Sequence, residues 1–502
     1  VSDLPKGWAL AQVADILSIR NGFAFKRTSF SEKGVPLIRQ SELKGKLIDI
    51  SSAVFLPIEF LEMYSEYIVS KGDLLIGMSG SLGKISAYTF EFPALQNQRT
   101  GLLKVDSQTA SKEFALYALQ YLEPEIILQG KGVAVQNVSA SQIESCRFPL
   151  PPREEQIRIV EKLEELLSDL DAGVAELKAA QKKLVHYRQS LLKAAVEGAL
   201  TAEWRKSHQP EETGAQLLER ILKERRARWE AKQLAKFQEQ GKTPPKDWQD
   251  KYLEPIKPDT SNLPELPEGW LWSSIGQTFQ VVVGATPSRK EPKYWNGEIP
   301  WVSSGEVRFN RISKTNERIS IEGLNNSSTQ INPIGSVLLG MIGEGKTRGQ
   351  VAILKIEAAN NQNCAAIWVS ETDIPPEYIY YWLWSRYEET RRGSSGNNQP
   401  ALNKSIVEKI PFPMPPIDEL KIIVQFVNAS VLEIEKQEVA ISYSLKQSAA
   451  QRKNILKAAF SGKLVPQDPN DEPASMLLER IRNERMTQIS KGSTRTRKLN
   501  NA

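Results

Sequence analysis

At 502 residues, with hydrophobic residues at 40%, aromatics at 8% and charged residues at 25%, the chain has ordinary globular composition and length for about three domains, which excludes wholesale disorder and collagen-like architecture. The 65 Lys and Arg against 60 Asp and Glu leave a formal charge of +5, which permits a nucleic-acid partner without demanding one. Cys146, Cys364, His186 and His208 are too few and too scattered for a disulfide framework or a structural zinc cluster, so no metal site is expected. No apolar run approaches the ~20 residues of a membrane span. The opening Val1–Pro5 is unlike a secretory leader, so the expected location is cytoplasmic, away from any membrane.

The first 150 residues alternate short Val, Ile, Leu and aromatic runs with Gly, Pro, Ser and Asn punctuation, the pattern of a mixed α/β domain. Strands are predicted at Asp73–Ile76 and Ile85–Tyr88 and a helix at Lys112–Leu122. After Pro149–Pro152, a long helix is predicted from Arg153 to Glu197 with Gly198 as its stop. Its heptad seam carries Leu163, Leu170, Leu177, Leu184 and Leu191 at one position, and Val160, Leu167, Val174, Gln181, Arg188 and Ala195 at the other. Its 45 residues correspond to about 68 Å, or about 20 base pairs of duplex. Residues 201–264 then hold a charged helix at Ala215–Gln240 and a Pro-rich linker.

The plan repeats. Leu4-Pro5-Lys6-Gly7-Trp8 returns as Leu266-Pro267-Glu268-Gly269-Trp270, while Pro149 to Pro413 and Leu191 to Ile455 are each separated by 264 residues. A second mixed α/β domain therefore occupies 265–414, with strands predicted at Val337–Leu339 and Val351–Ile356 and a helix at Glu377–Tyr387. A second long helix within 415–464 has Val424, Val431, Glu438, Leu445, Arg452 and Ala459 on one seam line and Val427, Ile434, Ile441, Ser448 and Ile455 on the other, with Gly462 as its stop. Both stripes are narrow and want a partner, so the two helices are expected to pair, the polar seam residues fixing register. Residues 465–502 repeat the shorter helix as Leu477–Ile481 and end in a basic stretch. His186 and Cys364 read as packing residues, and Trp8, Trp270 and Trp301 as core or loop anchors.

Catalytic patterns fail their context tests. Gly340-Met341-Ile342-Gly343-Glu344-Gly345-Lys346-Thr347 satisfies the P-loop pattern, but strand-like Val351–Leu354 follows where a helix is required, and the counterpart ending at Lys84 has Ile85 in place of the hydroxyl. A glycine-rich hairpin turn carrying a lysine accounts for both copies. No methyl-transfer, metal-nuclease or nucleophile–base constellation is visible, so the chain reads as non-catalytic. An NTPase centred on Lys346 and a coiled-coil protein-binding scaffold stand as alternatives.

The duplicated Leu-Pro-x-Gly-Trp openings, Pro149–Val160 leading into Ser190–Leu200, and Thr286-Pro287-Ser288 followed by Tyr294–Val302 resemble the specificity subunits of type I restriction-modification enzymes over nearly the whole chain. The second copy of the helix-opening block has Leu420 where the first has Gln156, a small departure. The resemblance implies target recognition domains at 1–150 and 265–414, each reading half of a bipartite asymmetric site on double-stranded DNA, separated by long helices at 151–200 and 415–464 that form an antiparallel coiled coil. It implies docking of two methylation subunits on those helices and of motor-nuclease restriction subunits beyond them. S-adenosylmethionine, ATP and magnesium would belong to those partners, with no cofactor in this chain.

Phosphate contacts orient a DNA-binding protein and base-edge hydrogen bonds discriminate sequence. Lys26, Arg27, Lys84, Arg99 and Lys131 in the first domain, and Arg289, Lys290, Lys346 and Arg348 in the second, are candidates for phosphates or guanine edges. Gln136, Asn137, Asn361, Gln362, Asn398 and Gln399 are candidates for adenine edges.

Overall fold

The computed structural model describes residues 4–80, 82–130, 136–343, 346–392 and 402–484. The chain divides into two compact units whose boundaries fall inside the long helices: Val1–Lys178 with Ile441–Ala502, and Ala179–Ala440. Each unit therefore combines one α/β domain with part of both helices.

In the first unit an antiparallel sheet orders Leu17–Asn21, Thr100–Val105, Leu74–Gly77 and Ile85–Ala87, and a second orders Val54–Leu56, Val35–Ile38, Ala94–Gln96 and Ile68–Val69. The predicted helix extends over Lys112–Gln129, and the Ser111 side chain caps it by accepting from Phe114 N. The second unit has a five-stranded sheet, Gln280–Val283, Cys364–Trp368, Val337–Gly340, Val351–Leu354 and Asn310–Ile312, and a three-stranded one, Glu317–Ile319, Trp295–Val302 and Ala359–Asn360. The helix predicted at Glu377–Tyr387 is two, Pro376–Ser385 and Tyr387–Arg392.

The long helices span Arg153–Val196 and Ile417–Ala459. Gly198 and Gly462 follow with φ of +74° and +68°, the left-handed conformation that ends a helix with little strain only for glycine. Within the second unit Arg188 Nη2 donates to Glu438 Oε2 at 2.7 Å and Thr201 Oγ1 to Glu419 Oε1 at 2.6 Å, so rising positions past the first helix meet falling positions on the second. Within the first unit Asp171 pairs with Arg452, and Leu163 and Leu167 share a core with Leu456 and Ala459. The segments in each unit thus pack antiparallel, and the polar seam residues Arg188, Glu438 and Arg452 are consumed in ion pairs. Leu163, Leu191, Val427 and Ile434 are buried, and Leu170, Leu177, Leu184, Ile441 and Ile455 half-buried, while Gln181 is exposed. His186 is also exposed, correcting its reading as a packing residue: it lies off the seam. Cys364 is buried as expected.

The two short motifs of each repeat form one joint. Gly7 and Gly269, at φ of +82° and +83°, occupy the third position of a turn closed by Trp8 N donating to Pro5 O and Trp270 N to Pro267 O, both at 3.1 Å. The turn places each indole against the first turn of a long helix. Trp8 Nε1 donates to Glu155 Oε2 at 2.9 Å, and Trp270 Nε1 to Glu419 Oε2 at 2.8 Å. Strands Ala9–Gln12 and Leu271–Ser274 continue from the turns and pair antiparallel with Arg147–Leu150 and Pro411–Met414, the segments that lead into the helices.

A short repeated helix segment completes each core, and in the first unit it comes from the far end of the sequence. Leu217, Leu218 and Ile221 of the charged helix, Gly214–Glu239, pack into the second unit's core beside Trp270, and Ala474 and Leu478 pack into the first unit's beside Trp8. The Pro-rich linker is not structureless: Trp248 stacks on Trp229 of the charged helix at 5.9 Å and Tyr252 meets the same ring edge-on at 5.3 Å.

Candidate nucleic-acid interface

In the first domain three loops are tied together by main-chain hydrogen bonds. The turn between Ala94–Gln96 and Thr100–Val105 holds Asn97, Gln98 and Arg99, and Met78 N donates to Arg99 O at 3.1 Å from the glycine-rich turn after Leu74–Gly77. Gly80 N donates to Gln136 O at 2.9 Å, and Ser79 bridges Asn137, which joins the third loop. Behind them Gly22 presses on the first turn, where an added Cβ would lie 2.3 Å from Asn97 O, too close for any other residue. Buried Gln96 fixes the base of that turn by donating to Arg20 O at 3.0 Å and Thr100 O at 2.8 Å. Gln98, Arg99, Gln136 and Asn137 are exposed on this frame. Lys84 closes the glycine turn and is also exposed. Lys26 and Arg27 are exposed on the short helical segment after Phe23 and Phe25, rings that cluster with Tyr64.

The second domain repeats the frame. Met341 N donates to Asn363 O at 2.8 Å and Leu402 N to Met341 O at 3.2 Å, while Gly284 takes the place of Gly22 with its Cβ position 1.9 Å from Asn360 O. Asn360 and Asn332, both fully buried, hold the turn from below, Asn332 Nδ2 donating to Asn360 Oδ1 at 2.8 Å. Asn361 is itself buried at 7% exposure, whereas Gln362 is exposed and accepts from Thr286 Oγ1 at 2.6 Å through Oε1, leaving Nε2 as its outward donor. Lys346 is exposed and Arg348 half-buried, its Nε without a hydrogen-bond partner among the described residues. Arg289 is committed within the domain: it forms a forked pair with Glu317 and stacks 3.7 Å over the Trp295 ring. That hydrogen-bonded pair raises the arginine's pKa and lowers the carboxyl's, so both stay charged. Neighbouring Lys290 is exposed. Lys131, Asn398 and Gln399 lie outside the described residues.

The P-loop-like sequence is a hairpin connection. Val337–Gly340 pairs antiparallel with Val351–Leu354, in register Leu339 to Val351, so a strand stands where a nucleotide-binding helix would have to begin. Among the described residues there is no cluster of His, Cys, Asp and Glu able to hold a metal, and no helix long and apolar enough to cross a membrane.

The frame gathers most of the candidates into one loop cluster per domain, and it adds Asn97 and Gln98, which carry no motif of their own. A signal for them is nonetheless present: Asn97 and Gln98 precede Asn361 and Gln362 by the same 264-residue offset as the helices.

The family profile described as type I restriction modification DNA specificity domain matches residues 5–180 and 267–441. Among curated relatives, the type I restriction enzyme EcoBI specificity subunit of Escherichia coli is 25% identical over 503 residues, covering 97% of this chain and 94% of the relative. The EcoDI specificity subunit of Escherichia coli is 22% identical over 453 residues, covering 87% and 90%. A solved chain from a study of complex assembly and conformational transition of the type I R-M system has a TM-score of 0.62 at 16% identity over 92% of this chain and 100% of that one, a likeness of fold.

Proposed function

Because the chain belongs to the type I restriction-modification DNA specificity family, we propose that it reads a bipartite, asymmetric site on double-stranded DNA, one half through each loop cluster. It is a DNA-recognition chain, not a catalytic one. The observation that carries the two-site reading is the repetition of one loop frame with a changed side chain on it: Asn97 and Gln98 are matched by Asn361 and Gln362, but Arg99 in one copy stands where Asn363 stands in the other. A shared scaffold on which a guanidinium in one copy is replaced by an amide in the other is suited to reading two different half-sites.

The long helices set the spacing between half-sites and dock two methylation subunits, with motor-nuclease subunits joining the assembly. S-adenosylmethionine, ATP and magnesium act on those partners, in the cytoplasm. In support, the second helix carries Ile422, Phe426, Leu432 and Val439 off its seam at 36%, 50%, 54% and 70% exposure, apolar side chains open to further helices.

Exchanging residues 4–149 for the equivalent domain of another family member is expected to change one half-site and leave the other intact, read by mapping methylated adenines; a change in both would refute the modular reading. Gln362→Ala is expected to relax one base position in the second half-site by about 1–3 kcal/mol of discrimination, measured by competition binding against single-base variants.

A further inference from the structure

The first unit contains a groove of about 840 Å³ between its α/β domain and its helix segments. Seven of its lining side chains are cationic and two, Glu123 and Asp171, anionic, an excess equal to the +5 of the entire chain. Asp171 is already held by Lys46 and Arg452, and Lys44 holds Asp49 at 3.0 Å outside the lining. Lys84, Lys178, Lys453 and Lys457 have no ion pair among the described residues, and all four are exposed. They come from three elements: the glycine turn, the first helix, and two positions one turn apart on the second.

A groove of the second unit, about 780 Å³, is lined on its helix side by Val185, Arg188, Gln189, Leu192 and Lys193, which precede Ala449, Arg452, Lys453, Leu456 and Lys457 by 264 residues, and it has a different character. Arg188, Lys193 and Arg386 face Glu197, Glu265, Glu388 and Glu389, and its walls are aromatic, with Trp272 against Trp382 and Phe309 stacked on Trp384 at 4.9 Å. Gln189 stands where the first unit has Lys453. Arg188 and Lys193 match Arg452 and Lys457, so the excess of the first groove comes from Lys453, Lys178 and the domain residues Lys44, Lys46 and Lys84, together with its fewer carboxylates.

We propose that the lysine-lined groove of the first unit binds the phosphate backbone of duplex DNA beside the half-site read by that unit, without regard to sequence. The inference rests on the DNA-recognition reading above and deepens it. Two features favour an extended polyanion: the cations without ion pairs come from both the domain and the helices that line an open groove, and Lys84 belongs to the same turn whose Met78 and Gly80 are bonded to the Arg99 and Gln136 carbonyls, which links the groove to the reading loops. Each phosphate neutralised by a lysine releases condensed counterions, so these lysines act through salt dependence and leave base discrimination untouched.

The test compares the full chain with Lys178→Gln/Lys453→Gln/Lys457→Gln on a random-sequence duplex and on a duplex carrying the mapped site, across a salt series. The slope of log affinity against log salt is expected to become shallower by about 2.7, or roughly 0.9 for each phosphate no longer neutralised, with affinity for both duplexes falling by the same factor. Lys193→Gln/Arg386→Gln in the other groove is expected to change neither, and Lys453→Gln alone to move the slope by about 0.9, which covers any folding defect in the triple variant. An unchanged slope overturns the proposal. So does weakened binding of methylation subunits alone, which would make the occupant an acidic protein, or loss of tripolyphosphate binding with duplex affinity intact, which would make it a small-anion site. A wild-type chain with methylation subunits that cannot tell the mapped site from random DNA would defeat the recognition reading, a separate outcome from the slope change.

Discussion

Glu419→Ala is expected to lower the stability of the chain by about 3–5 kcal/mol, the cost of removing one member of a buried ion pair. The Glu419 side chain is fully buried, and its two oxygens take hydrogen bonds from Trp270 Nε1, Thr201 Oγ1 and Arg205, so alanine strands three donors in the joint between turn and helix. The repeat supplies an internal control. Its counterpart Glu155 accepts from Trp8, but the positions matching Thr201 and Arg205 are Val465 and Pro469, and Glu155 Oε1 has no hydrogen-bond partner among the described residues.

Burial therefore raises the Glu155 pKa above its ordinary 4.5, with the Trp8 hydrogen bond opposing the shift less strongly. A carboxyl with a raised folded pKa binds protons more readily in the native state than in the unfolded one. Its contribution to stability falls as pH rises from the unfolded value through the folded one, and at neutral pH the charge is a cost. Glu155→Gln keeps an acceptor for Trp8 and removes that charge. It is expected to leave stability at neutral pH unchanged or higher, and to flatten the decline from about pH 4.5 upward. Urea midpoints of both variants across that range check the pair of expectations. Equal damage at the two sites would contradict the asymmetry.

Deleting residues 175–181 together with 442–448 is expected to abolish modification of the original site. The deletion removes one heptad from each helix, which preserves both seams, because Val174 is then followed by the residue after Gln181 and Ile441 by the residue after Ser448. Each helix shortens by about 10 Å, close to three base pairs at about 3.4 Å each. From a library of randomised spacers, the assembled methylation complex is expected to modify sites whose half-site sequences are unchanged and whose spacer is shorter by about three base pairs. An unaltered spacer would remove the helices from the spacing role. Deletion in one helix alone offsets the ion pairs Arg188–Glu438 and Asp171–Arg452, so a loss of stability rather than a new spacing is expected there.

Periodic and local signals in the sequence determined the duplication, the two long helices to within a residue or two of their ends, and the hairpin character of the glycine-lysine turn. Heptads, glycine stops and β-branched runs act on the backbone within a few residues, where side-chain geometry and chain connectivity suffice. Tertiary structure alone decided that the compact units divide the long helices between them, that the first unit takes Ala474 and Leu478 from the far end of the chain into its core, and that Arg289 is spent on Glu317. It also decided that one lysine-lined groove has no equal in the other half. Those outcomes depend on residues far apart in sequence meeting in three dimensions, and neither propensity nor spacing encodes which distant side chain arrives to neutralise a charge or leave it free.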